Sequence, residues 1–211
     1  MAEWSIASLA VGELAANCWF LANEEQKEAL VFDPGDEPER IRSFAEQRGL
    51  KICHILLTHG HADHMGAAEE LKRLTGASVY ALQEEEVLLL DGVKNLSAFI
   101  QHRGITVQAD EFLHDGQEIT LSGIRLKVYH TPGHTPGGCC YYCEEAGCVF
   151  SGDTLFHGSV GRSDFPGGSM SKLVRSVKEK LFLLPDETKV HTGHGEDTTI
   201  GYEKKYNPFT G

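Results

Sequence analysis

Ile52-Cys53-His54-Ile55-Leu56-Leu57-Thr58-His59-Gly60-His61-Ala62-Asp63-His64 is an apolar run that ends in four potential metal ligands within six residues. The run Ile52–Thr58 predicts a buried strand that feeds a ligand-bearing loop. His59 and His61, at i and i+2 on extended backbone, can grip one ion. The Asp63-His64 pair that follows can turn to face a second. Imidazole nitrogen and carboxylate oxygen together suit Zn²⁺, Fe²⁺ or Mn²⁺. A fortuitous histidine patch, as in an expression tag, fits poorly. The run is internal and has strand-like sequence before it and helix-like sequence after it.

Working outward, Trp4–Val11, Cys18–Ala22 and Ala29–Phe32 read as strands, the last ending at the turn Asp33-Pro34-Gly35. A helix then starts at Asp36-Glu37-Pro38-Glu39, with Ile41, Phe44 and Ala45 on one face, and stops at Gly49. Ala67–Leu74 is a helix stopped by Gly76, and Val79–Leu82 is a strand. Glu84–Leu90 and Leu96–Arg103 are predicted helices. Glu118–Leu121, Arg125–His130, Gly138–Cys143 and Cys148–Ser151 are strands. Helix Ser171–Leu183, strand Lys189–His191 and helix Thr199–Tyr206 complete the chain. Strands followed by helices, twice over, predict a layered α/β sandwich with helices outside two sheets. A doubly wound βαβ fold is the alternative. No repeat or linker divides the sequence, so one domain over residues 1–211 is expected.

The 211 residues carry a formal net charge of −12, which argues against nucleic acid as the main partner. The N-terminal residues have neither a basic segment nor a long apolar one, and no stretch approaches a membrane span. A cytoplasmic protein is the expectation. Cys18 and Cys53 lie in apolar strands and read as reduced, buried thiols. Cys139, Cys140, Cys143 and Cys148 are dense enough to raise a structural zinc site. Adjacent strand residues point to opposite faces, however, so packing across a hairpin is the preferred reading.

Further metal-competent side chains follow predicted strands. His134 sits in Thr131-Pro132-Gly133-His134-Thr135-Pro136-Gly137-Gly138, where Pro and Gly fix a rigid turn. Asp153 follows Ser151-Gly152, and His194 lies in Thr192-Gly193-His194-Gly195-Glu196. Each alone is an ordinary turn residue. Together, five histidines (59, 61, 64, 134, 194) and two aspartates (63, 153) suffice for two metals. His54, His102, His114, His130, His157 and His191 lack such context and read as structural or surface residues. His157 and His191 are close enough in sequence to support the ligands.

These motifs, in this order, resemble the metallo-β-lactamase superfamily. Gly152-Asp153-Thr154-Leu155-Phe156, Gly161-Arg162-Ser163-Asp164-Phe165-Pro166 and Asn207-Pro208-Phe209 are similar to the small members of its glyoxalase II-like (hydroxyacylglutathione hydrolase-like) branch. The resemblance implies an αββα sandwich with a dinuclear site at one edge. It puts His59, His61 and His134 on the first metal, and Asp63, His64 and His194 on the second. Asp153 bridges them, and Asp33 orients the ligand loops or simply makes an Asp-Pro-Gly turn. The ions would be zinc, with iron or manganese as alternatives.

The activity so implied is hydrolysis of a small-molecule thioester, an S-acyl conjugate of a small thiol. The nucleophile would be a metal-bound hydroxide held by Asp63, Asp153 and His194. The sequence has no Gly-x-Ser-x-Gly elbow to suggest a serine nucleophile. Two departures bear on the thiol carrier. Full-length glyoxalase II enzymes have a C-terminal helical region with basic residues for glutathione, whereas here only Lys204 and Lys205 follow His194 closely. Arg162 and Asp164 also replace the family's Lys and Tyr. Arg162 is a candidate for holding a substrate carboxylate, or is a loop arginine paired with Asp164. The alternative activity is a persulfide dioxygenase of the same fold, with one Fe²⁺ on His59, His134 and Asp153.

Overall fold

The computed structural model describes residues 4–100 and 102–210. The first sheet contains β1 (Trp4–Val11), β2 (Ala16–Asn23), β3 (Glu28–Phe32), β4 (Lys51–Leu56), β5 (Ser78–Leu82) and β6 (Glu111–Leu113), side by side in chain order. Its first three strands are antiparallel, and β3 to β6 run parallel. The second sheet has the order β14-β13-β10-β9-β8-β7. It is formed by β7 (Glu118–Leu121), β8 (Ile124–His130), β9 (Cys139–Cys143), β10 (Cys148–Gly152), β13 (Lys189–Thr192) and β14 (Thr198–Thr199). Between β10 and β13 lies a small hairpin of β11 (Leu155–Phe156) and β12 (Ser159–Val160). The helices are α1 (Pro38–Glu46), α2 (Ala62–Met65), α3 (Ala68–Thr75), α4 (Glu86–Leu89), α5 (Ser97–Ile100), α6 (Met170–Glu179) and α7 (Ile200–Tyr206).

Strand alternation builds the layers. In β3, Leu30 and Phe32 face the second sheet while Val31 faces the α1/α3 layer; in β4, Leu56 and Ile55 divide the same way. In β10, Phe150 points inward, and Val149 points out towards Leu173 and Val177 of α6. The expected αββα sandwich is therefore present, with mixed sheets. Phe32 stacks on Phe150 with ring centroids 3.9 Å apart, and Tyr141 lies 5.6 Å from Phe32. The Tyr141 hydroxyl donates to the Leu57 carbonyl at 2.8 Å, joining the two sheets just before the histidine motif.

The cysteines pack as the alternation argument requires. Cys139 enters the inter-sheet core and Cys140 the outer α6 layer, while Cys143 and Cys148 pair across the β9–β10 hairpin. All six thiols are free. Cys53 corrects its expectation, because it is only partly buried. The predicted helix Leu96–Arg103 shrinks to Ser97–Ile100: Leu96 is left-handed (φ 69°) and cannot begin it, and Gln101 lies outside the described residues. Ser171–Leu183 divides into α6 and a 3₁₀ turn at Leu181–Leu183. Glu84–Leu90 likewise becomes a 3₁₀ turn, Gln83–Glu85, running into α4. Strands β6, β11, β12 and β14 have only two or three residues and carry no periodic signal.

Phe32 bridges both sheets, so Phe32→Ala should cost about 3–5 kcal/mol of stability, read as a lowered urea midpoint with an unchanged slope. A midpoint within error of wild type would contradict the central role of this contact.

Candidate metal centre

Strands of both sheets end at one edge, and the loops leaving them carry the ligand candidates. Asp33 follows β3, His59 to His64 follow β4, His134 lies between β8 and β9, Asp153 follows β10, and His194 follows β13. The short helix α2 turns Asp63 and His64 away from His59 and His61. Two donor groups result, His59/His61/His134 and Asp63/His64/His194, each with its donor atoms within 4.8 Å of one another. Asp153 stands between them. Its Oδ2 is 3.5 Å from His134 Nε2, and its Oδ1 is 3.3 Å from His64 Nε2. A side chain at Gly193 would put its Cβ 2.3 Å from Asp153 Oδ1 and 2.8 Å from His64 Cε1, so the convergence needs glycine there.

The surroundings fix which ring nitrogens face inward. The Thr58 hydroxyl donates to Asp33 Oδ2 at 2.6 Å and lies 3.1 Å from His59 Nδ1. The hydroxyl therefore accepts from Nδ1–H, which leaves His59 Nε2 bare, buried and without a protein partner. His64 Nδ1 donates to Asp33 Oδ2 at 3.0 Å, which turns its Nε2 into the site, 3.2 Å from His194 Nε2 and 3.3 Å from Asp153 Oδ1. His134 Nδ1 donates to the Arg162 carbonyl at 2.6 Å, and its Nε2 lies 2.9 Å from His61 Nδ1. Anchoring one ring nitrogen and aiming the other inward is how proteins present metal ligands. Asp33, Thr58 and the Arg162 carbonyl supply the anchors. Asp33 also joins His59 and His64 in a third group of neighbouring donors, but its Oδ2 already accepts from Thr58 and His64.

The charges also fit a cation. Burial, reinforced by His134, lowers His61 to about 3, and burial keeps His59 well below the usual imidazole range. Both are neutral donors. Burial opposes charge on His64 as well, but Asp153, Asp63 and Asp33 outweigh it and raise the ring to about 10. Burial likewise disfavours ionised Asp63, yet His64 and His194 hold it well below the usual carboxylate range. Two neutral imidazoles and the ionised Asp63, with Asp153 Oδ1 buried and without a hydrogen-bond partner, supply donors for a divalent ion, which would displace the proton that the carboxylates otherwise hold on His64.

A superfamily profile described as "Metallo-beta-lactamase superfamily" matches residues 11–194. The chain belongs to the metallo-β-lactamase superfamily. Among its relatives in that superfamily is the probable metallo-hydrolase YqgX of Bacillus subtilis, 39% identical over 94% of both chains. Another is the hydroxyacylglutathione hydrolase GloC of Haemophilus influenzae, 36% identical over 97% of both. The crystal structure of the B3 metallo-β-lactamase BLEG-1 superposes with a TM-score of 0.93 at 37% identity, covering 98% of this chain and 99% of that one. TTHA1623, solved in a di-iron-bound form, gives 0.84 at 38% identity over 96% and 99%.

The seven predicted ligands and Asp33 thus come together, and Arg162 lies at their rim. Its guanidinium makes two 2.8 Å bonds to Asp164, whose carboxyl this pairing lowers to about 2. His157, in the β11–β12 turn, pairs with Glu196 at 3.2 Å, and the buried His191 of β13 pairs with Asp197 at 2.8 Å, so both support the loop that follows β13. Sequence reasoning missed Glu85. This buried carboxylate accepts from Gly60 N–H at 2.8 Å and from Gly137 N–H at 2.7 Å, tying the His59/His61 loop to the His134 loop. A Cβ on Gly137 would lie 2.3 Å from Glu85 N. In the run Glu84-Glu85-Glu86 nothing in the sequence distinguishes it from the exposed Glu84 or the half-buried Glu86.

Glu85→Ala should cost about 2–4 kcal/mol by leaving two buried N–H groups unpaired. It should also weaken metal retention roughly 10–100-fold. Burial raises the Glu85 carboxyl to about 7 from its ordinary 4.5, so its favourable contribution is full below pH 4.5 and is lost as pH rises through 7. The stability advantage of wild type over Glu85→Gln should therefore shrink by about 2–3 kcal/mol from pH 5 to pH 8. Urea unfolding at the two pH values checks this, and a constant gap would contradict it.

Proposed function

We propose that the protein is a dinuclear metal-dependent hydrolase of thioesters, S-acyl conjugates of a small thiol. The observation that carries this reading is one carboxylate, Asp153, reaching both donor groups. His59, His61 and His134 would hold one ion, Asp63, His64 and His194 the other, and Asp153 would join them. Zinc suits this mixed nitrogen and oxygen set; iron is the alternative raised by the di-iron form of TTHA1623, and manganese suits the donors equally. Two divalent ions, when bound, bring the pKa of a shared water towards neutrality and polarise an acyl carbonyl.

The remaining work falls to the chain itself. Asp63, held ionised by His64 and His194, orients the attacking water by accepting its hydrogen bond. Asp153 and His194 keep that water in line with the carbonyl carbon. Asp33 and Thr58 hold His64 and His59 in their productive tautomers. Burial pushes the Cys139 and Cys140 thiols up, so neither is a ready nucleophile. The GloC relative's name supports the acyl-thiol class. Among the described residues no helix is long and apolar enough to cross a membrane. Six free thiols suit a reducing compartment, and we place the enzyme in the cytoplasm as a single-domain protein without a nucleic-acid partner.

Purified protein should contain two metals per chain and hydrolyse acyl-thiol conjugates. One iron per chain with oxygen uptake on a persulfide would instead establish the dioxygenase reading. Asp153→Ala should lose metal and at least ~100-fold in kcat while still unfolding cooperatively. Full metal content and turnover in that variant would refute the shared-carboxylate assignment.

A further inference from the structure

A cavity of about 770 Å³ opens over the donor groups. Apart from the ligands, its described wall consists of Leu14, Leu96, Phe99, Ile100, Phe156 and Phe165, with Arg162 the one lysine or arginine among the described residues. Leu14, Phe99 and Ile100 are 51%, 65% and 37% exposed, although large apolar side chains gain free energy by leaving water. Exposed apolar groups gathered around a polar centre mark a ligand site. Phe165 lies 5.6 Å from the His61 ring and Phe156 lies 6.3 Å from the His194 ring. One aromatic therefore stands beside each donor group.

The same wall is poorly suited to anionic groups. Arg162 is committed to Asp164 and lies over Phe165 at 4.0 Å. The adjoining hollow of about 410 Å³ sets Arg103 among three carboxylates, Glu13, Asp36 and Asp63. Among the described residues the two hollows present only Arg162, paired with Asp164, and Arg103, so no cluster of arginines or lysines awaits a dicarboxylate thiol.

We infer that the substrate's acyl group is bulky and apolar, an aryl or medium-length alkyl chain seated against Leu14, Phe99, Ile100, Phe156 and Phe165. This inference rests on the thioesterase reading and narrows it to a substrate class. Each methylene taken out of water is worth roughly fourfold in affinity, so chain length is the natural variable.

The test titrates metal-loaded protein with acetate, butyrate, hexanoate and octanoate by calorimetry. In parallel it measures turnover of the matching S-acyl N-acetylcysteamine thioesters, whose carrier is uncharged. Carboxylate affinity should rise roughly 3–4-fold per methylene up to hexanoate, and kcat/KM should rise with it. Phe99→Ser and Leu14→Ser should each cut the octanoate-to-acetate affinity ratio at least tenfold at unchanged metal content. Equal affinities along the series, or an unchanged ratio in both variants, would overturn the inference. Rising affinity without turnover of any thioester would uphold the apolar acyl site and refute the thioesterase reading. Turnover with flat affinities would do the reverse.

Discussion

The buried carboxylate of Asp33 sets the geometry on which the site depends. Oδ1 accepts from the Thr58 backbone N–H at 2.7 Å, and Oδ2 accepts from the Thr58 hydroxyl and from His64 Nδ1. A buried carboxylate left without donors is costly. These bonds therefore fix the end of β3 against the end of β4, and they fix two histidine rings as well. Asp33 adopts a left-handed backbone (φ 52°) as the chain leaves β3, which turns its side chain back under the histidine motif. Without this anchor His59 and His64 could present either nitrogen to the site.

The same principle recurs at larger scale. Sheet-to-sheet contacts concentrate next to the ligand loops. Cys139 N–H donates to the Thr58 carbonyl at 2.8 Å, Tyr141 donates to Leu57, and Trp19 Nε1 donates to the Thr192 carbonyl at 2.9 Å. Glu85 adds a second buried carboxylate as a clamp between the His59/His61 and His134 loops. The donors sit on loops, but each loop is held by a hydrogen bond or aromatic contact from the rigid core beneath it. This gives long-range ligand pairs, such as His64 and His194, the precision that metal binding demands.

Much of this was legible in the sequence because it rests on local signals. The apolar run before Thr58 and the density of ligands after it mark strand, loop and chemistry together, and the Gly-rich turns around His134 and His194 mark close approach. The resemblance to the metallo-β-lactamase superfamily then supplied the pairing of distant ligands, which no single-chain periodicity encodes. What escaped was set by tertiary context. Glu85 is buried by partners 25 and 52 residues away. Leu14, Phe99 and Phe165 come from three separate segments that meet only at the cavity wall. The two- and three-residue strands are too short to show alternation. The helix expected over Leu96–Arg103 failed at Leu96, whose positive φ the sequence does not announce.

If the protein is dinuclear, two ions share Asp153. Anomalous diffraction from crystals of the metal-loaded protein tests it most directly. Two peaks are expected roughly 3.5–4 Å apart, one against His59, His61 and His134 and the other against Asp63, His64 and His194, with Asp153 touching both. A single peak, or a second peak away from Asp63, His64 and His194, would contradict it.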